Sequence, residues 1–197
     1  VGRIVGRMAE LKGMATQDPL KSSQDVESYN NEFRDLQKQL RDINKSTFNG
    51  VSLFASKTTS NTAMTFGTDK HTISVFTSDR GAAGSVVSLN KSALMAALTF
   101  KSLTDASSEA TGSGITIAAS LASSAIDIGD ISVSFFTKAL ENVATLRAEN
   151  GATMTRLQFA EDHLRLSNAN LEAANSRIMD VDVATESTAL AKYNILS

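Results

Sequence analysis

The chain has 197 residues and a formal net charge of -2, with both signs interspersed. It has no basic patch, no charged tail and no apolar run near the roughly 18 residues a membrane span needs, so neither nucleic-acid binding nor membrane insertion is expected. It has no cysteine, which excludes a disulfide framework and a thiolate metal site; its single proline and few aromatics fit long helices better than a β-rich enzyme.

Residues 1–17 predict a helix with Val1, Ile4, Val5, Met8, Leu11 and Ala15 on one face. Gly2, Gly6 and Gly13 each cost about 1 kcal/mol against alanine in such a helix. They imply either close approach of neighbouring helices or a weakened segment. Asp18-Pro19 stops the helix, because the residue before proline avoids the α region. A second helix follows over about Gln24 to Asn44. Ser22 and Asp25 have capping-box spacing, with Asp in place of the usual Glu or Gln. Val26, Tyr29, Phe33, Leu36, Leu40 and Ile43 form its apolar stripe, spaced alternately by threes and fours. The short break makes the two helices antiparallel neighbours. Asn49-Gly50 then marks a turn.

The middle, about 56–130, changes character. Alternation in Ala63–Phe66 and Thr72–Phe76 predicts short strands, with further strands at Ser85–Leu89 and Gly114–Ile117. Ser92–Leu98 reads as a short helix and Ser107–Gly114 as a loop. From about Ile131 to Ile195 the chain has no proline and one glycine, Gly151. One helix of that length would run roughly 95 Å. Val143, Leu146, Met154, Leu157, Leu164, Leu171 and Ile178 space like a coiled-coil seam. Asn150 extends the Leu157 series backwards, and Asn168 and Asn175 occupy the alternate seam positions. Such a helix is expected to pack along its upper part on the two short helices. Past about Leu166 it would leave Leu171, Ile178 and Val181 without a partner.

The run Ser176-Arg177-Ile178-Met179-Asp180-Val181-Asp182-Val183-Ala184-Thr185-Glu186 resembles the S-R-I-x-D-x-D-x-A-x-E signature of bacterial flagellin. Lys192-Tyr193-Asn194-Ile195-Leu196 is similar to the K-x-x-I-L that follows it. Leu146-Arg147-Ala148-Glu149-Asn150-Gly151-Ala152 resembles the L-R-x-x-x-G-A upstream. Phe48-Asn49-Gly50-Val51 resembles Q-F-N-G-V, with Thr47 in place of Gln, and Arg7-Met8-Ala9-Glu10-Leu11 resembles R-x-x-E-L. The resemblance covers roughly 1–55 and 137–196.

The resemblance implies a structural subunit that polymerises into the flagellar filament for motility. It places the chain outside the cell, exported by the flagellar type III system. Its partners would be other flagellin subunits, hook-associated proteins and the export chaperone. The alternatives are a hook–filament junction protein or a flagellin-like surface-binding protein. It further implies that about 80 N-terminal residues and the C-terminal tail of the inner tube lie outside this sequence. In many flagellins an Arg and a Leu of the first helix and a Glu of the second form a patch recognised by an animal Toll-like receptor. The matching residues are Arg7, Leu11 and Glu32, with Ala9, Met14 and Leu36 departing from the usual pattern. Arg177, Asp180, Asp182 and Glu186 of the signature would set contacts between subunits.

No catalytic, cofactor or metal constellation is legible. His71 and His163 belong to no H-E-x-x-H motif, and Gly112-Ser113-Gly114 lacks the lysine of a phosphate loop. Asp180 and Asp182 do not face each other on a helix. The expected architecture is mainly α with a small β part. It is an elongated antiparallel helical bundle over 1–55 and 131–197, carrying a small β-hairpin or β-subdomain from 56–130 at its tip.

Overall fold

The computed structural model describes residues 1–17, 22–57, 63–78, 81–103, 114–119 and 124–196, the side chains of residues 82, 181 and 182 excepted. Helix α1 spans Gly2–Thr16 and α2 spans Ser23–Asn44. The expected Asp18-Pro19 stop and most of the Ser107–Gly114 loop lie outside the described residues. At the start of α2 the capping box closes with Asp in its second role. Asp25 N donates to Ser22 Oγ at 3.2 Å, and Ser22 N donates back to Asp25 Oδ2 at 3.3 Å.

Among the described residues, six short strands form three separate two-stranded pairs. Strands β1 (Thr47–Phe48) and β2 (Val51–Ser52) pair antiparallel around Asn49-Gly50. Both turn residues have positive φ, 49° and 76°, the geometry that a two-residue turn between right-twisted strands requires. Strand β3 (Thr72–Phe76) pairs with β4 (Val86–Asn90). A one-turn helix, α3 (Leu94–Ala97), leads into β5 (Thr99–Phe100), which pairs antiparallel with β6 (Ile115–Thr116). Among the described residues Ala63–Phe66, expected as a strand, makes a single bridge, from Ala63 to Lys57. Met64 and Phe66 are buried there as loop anchors, so their alternation reflects packing and not pairing. Helix α4 then runs unbroken from Val133 to Leu196.

The chain divides into two compact units. The first holds Val1–Val75 and Ser88–Thr153. Its core takes Val5, Met8 and Leu11 from α1, Phe33 and Leu40 from α2, and Phe135, Phe136, Ala139, Val143 and Leu146 from α4. Leu94, Leu98, Phe100, Ile117, Ile128 and Ile131 close it. A chain of edge-on rings ties these elements together. Phe100 meets Phe135 at 4.3 Å, Phe135 meets Phe136 at 6.0 Å, and Phe136 meets Phe33 at 6.0 Å between centroids. The second unit holds Phe76–Val87 and Met154–Ser197. In it the end of the β3–β4 hairpin is tied by Thr77 N and Oγ1, both donating to Ser85 O. A groove of about 380 Å³ opens in the first unit beside β1, β2 and Leu89, and one of about 630 Å³ opens in the second between Thr77, Ser78, Ser85 and the His163–Leu171 face of α4.

Of the glycines of α1, Gly6 and Gly13 do not mark close helix approach. A Cβ at Gly6 or Gly13 would meet nothing within 4 Å, whereas one at Gly2 would meet the Arg147 guanidinium at 3.0 Å. Gly6 and Gly13 therefore only weaken the helix. Gly6→Ala and Gly13→Ala should each raise stability by about 0.5–1 kcal/mol, read from urea unfolding midpoints. A loss at either position would show that its open space is filled in the folded chain.

Candidate assembly surface

On the first unit, Arg7 is gripped by two carboxylates. Its Nε donates to Glu32 Oε1 at 2.8 Å, its Nη2 to Glu32 Oε2 at 3.2 Å, and its Nη1 to Glu10 at 3.3 Å. The fork on Glu32 is bidentate, and the hydrogen bond from Glu32 leads the causes that raise the Arg7 pKa. Arg7 and Glu32 lie equally far along α1 and α2 from the connection between them, as antiparallel helices require. Leu11 does not join them at the surface. It is fully buried, because the α1 stripe of Val5, Met8 and Leu11 faces α2 and α4. Leu11, named with Arg7 and Glu32 from the resemblance, lies in the core of this structure.

The segment before α4 is clamped by side chains that sequence reasoning missed. Gln37, fully buried, brackets Ile126, with Nε2 donating to its carbonyl at 2.7 Å and Oε1 accepting from its amide at 3.0 Å. Asn30 Oδ1 accepts from Ile128 N at 2.9 Å, and its Nδ2 donates to Asp127 Oδ1 at 3.1 Å. Arg34 Nε reaches the same carboxylate at 3.0 Å, and Lys12 Nζ donates to the carbonyls of Ile128 and Gly129 at 2.8 and 3.2 Å. Buried Asn142 donates to Ala97 O at 3.1 Å. Ser92 and Asn150 also bond each other, at 2.8 to 3.1 Å. The contacts to residues 126–129 hold the segment that leads into α4, and those of Asn142 and Asn150 tie its first part to the Ser92–Ala97 segment. Asn30, Gln37 and Asn142 interrupt otherwise regular helical surface, and only that irregularity was available to flag them.

Asn30 first, and Arg34 second, hold the Asp127 carboxyl below its ordinary range. A carboxyl depressed in the folded state contributes stability that is present above the unfolded pKa and is lost as pH falls through the folded one. The pair is half exposed, so screening holds that contribution under about 1 kcal/mol. Asp127→Asn should therefore be slightly less stable than the parent at pH 7. The two should converge as pH drops below about 4; a gap that persists at low pH would contradict the carboxylate's role.

On α4 past Thr153 most of the described large apolar side chains are bare, Leu157 being half-buried. Leu171 and Ile178 are 66% and 68% exposed, and Met154, Leu166, Met179, Val183, Leu190 and Tyr193 are exposed likewise. Their spacing places them on more than one side of the helix. Arg177, Asp180 and Glu186 are exposed on the same stretch and form no ion pair among the described residues. The side chain of Asp182 lies outside them. The seam asparagines Asn168 and Asn175 are exposed as well. Among the described residues no group of His, Asp and Glu is placed to hold a metal, and no helix is long and apolar enough to cross a membrane. His71 Nδ1 sits 2.9 Å from Lys57 O.

A long α-helix with bare leucines at seam spacing needs a family to give it meaning. A family model described as the bacterial flagellin C-terminal helical region matches residues 133–197. Residues 133–197 are thus similar to the flagellin C-terminal region. Flagellin of Bacillus subtilis strain 168 is 43% identical over 72 residues, which cover 36% of this chain and 24% of the relative. Flagellin of Clostridium tyrobutyricum is 46% identical over 59 residues, 30% of this chain and 16% of the relative. Flagellin C of Vibrio cholerae is 46% identical over 66 residues, 34% and 18%. The matched part thus spans a quarter or less of these relatives. The matched flagellin region is α4 itself, from its buried start at Phe135 and Phe136 to its bare end.

Proposed function

We propose that this protein is a structural subunit of the bacterial flagellar filament, serving motility outside the cell, and that α4 is the surface through which copies associate. The observation that carries this reading is the α4 stretch from Met154 onward. It matches the flagellin C-terminal region and leaves Leu171, Ile178 and Val183 in water. Apolar contact contributes about 25 cal/mol for each Å² removed from water. A contact of modest area becomes strong when repeated along a polymer, and a head-to-tail contact that does not close builds a helical filament. Arg177, Asp180, Asp182 and Glu186 serve this reading as residues that orient the contact. Catalysis plays no part in it, since flagellins are a family of structural proteins.

The finer partners follow the same logic. An export chaperone would cover the bare part of α4 before assembly, and hook-associated proteins would meet it at the filament's ends. For an animal Toll-like receptor the accessible part of the matching patch is Arg7 and Glu32, with Leu11 holding α1 from inside. The experiment is electron microscopy of the full-length chain under salting-out conditions. Long tubular filaments are the expected result. Short closed oligomers would instead favour the hook–filament junction reading.

A further inference from the structure

Two asparagines of this chain precede a glycine, Asn49 and Asn150. The backbone nitrogen after an asparagine can attack that residue's side-chain amide, and glycine, with no Cβ, leaves this nitrogen least hindered. The fold gives the two pairs opposite settings. Asn150-Gly151 lies inside α4, where the i→i−4 ladder fixes the backbone. The Asn150 side chain is engaged as well: its Nδ2 donates to Ser92 Oγ at 2.8 Å, and its Oδ1 lies 3.1 Å from the same hydroxyl. Asn49-Gly50 forms the turn between β1 and β2. That ladder pairs Thr47 with Ser52 and Phe48 with Val51, and Leu53 N adds one bond to Ser46 O at 3.0 Å. Asn49 and Gly50 are not among its paired residues, and so short a two-stranded ladder opens at small cost.

We propose that Asn49 is a site of spontaneous deamidation, and that the fold protects Asn150 from the same reaction. Gly50 N attacks Asn49 Cγ. The new N–Cγ bond closes a five-membered succinimide, the Cγ–Nδ2 bond breaks, and the side-chain nitrogen takes the Gly50 amide proton and leaves as ammonia. Water then opens the ring at one of its two carbonyls. Opening at the Cγ–N bond gives aspartate, which adds a negative charge and still suits the turn. Opening at the backbone C–N bond gives isoaspartate, which routes the main chain through Cγ and lengthens the turn by one carbon. A two-residue turn fixes the register of its strands, so the lengthened turn releases the pairing of Phe48 with Val51 and of Thr47 with Ser52. This hairpin joins the end of α2 to buried Ala55, so the isoaspartyl form loosens the chain there. The inference does not depend on the filament reading, since every reacting group belongs to residues 49 and 50 or is water.

The test incubates the full-length chain at mildly alkaline pH and follows both sites by peptide mass mapping, with isoaspartate detected by an isoaspartyl methyltransferase. In the folded chain Asn49 should convert at least about tenfold faster than Asn150, because opening the hairpin costs far less than opening α4. In guanidinium chloride the two sites should convert at similar rates. The aged chain should lose hydrogen-exchange protection at the Leu53 amide, whereas Asn49→Asp should keep it. Asn49→Gln, whose longer side chain closes a less favoured ring, should keep both its amide and that protection through the same treatment. Equal conversion of Asn49 and Asn150 in the folded chain, or an equal disparity in guanidinium, would overturn the proposal that the fold selects the site. Unchanged Leu53 protection in isoaspartyl chains would overturn the consequence drawn for the hairpin.

Discussion

Replacing Phe135 with alanine is expected to cost about 3–5 kcal/mol, among the largest single losses in the first unit. Phe135 is fully buried and edges onto both Phe100 and Phe136, and Phe136 edges onto Phe33 of α2. The ring therefore joins α4, β5 and, through its neighbour, α2. Removing it takes away transfer free energy and leaves a cavity that three fixed elements cannot close. Denaturant unfolding, with tyrosine fluorescence and far-ultraviolet circular dichroism as readouts, measures the loss. Phe135→Leu keeps most of the volume and should lose about half as much or less. An alanine variant within about 1 kcal/mol of the parent would mean that the ring chain does not organise this core.

The second large effect concerns association and not folding. Leu171→Asp together with Ile178→Asp places two carboxylates where apolar side chains stand bare in the free chain. Neither side chain has a burial to lose, so unfolding of the free protein should shift by no more than about 0.5 kcal/mol. The proposed filament contact would cover both positions, and an unpaired polar group there would cost about 2 kcal/mol or more at each contact. That raises the concentration needed for assembly by at least roughly 30-fold, since about 1.4 kcal/mol is tenfold. Sedimentation of assembled material against total concentration gives the number. Assembly at the parent's threshold would place the contact elsewhere.

The sequence carried the helices well because their signals are local. The Ser22–Asp25 spacing, the alternating threes and fours from Val26 to Ile43, and the uninterrupted run after Ile131 each map onto an element that forms. Asn49-Gly50 announced its hairpin for the same reason, since both residues tolerate positive φ. What escaped was long-range. Gln37 and Asn142 look like solvated helix residues, and they are buried because carbonyls and an amide from distant loops satisfy them. Met64 and Phe66 alternate as strand residues do, yet their partners are core side chains and not a second strand. Leu11 matches a surface patch by resemblance while its own helical stripe turns it inward. The signature residues of α4 were legible as a motif. Their exposure, which gives the motif a physical use, required the fold.

The account stands on one claim, that the bare part of α4 is covered when copies of this chain meet. This stretch holds no cysteine, so once any cysteine outside it is replaced by serine, a single Leu171→Cys substitution in the full-length protein reports on that position alone. Its rate of reaction with a maleimide would be measured in dilute solution and again in assembled material. A fast rate in the free chain and at least about tenfold protection after assembly is the predicted result. Equal rates in the two states would contradict the claim and leave α4 a solvated helix whose apolar side chains serve no contact.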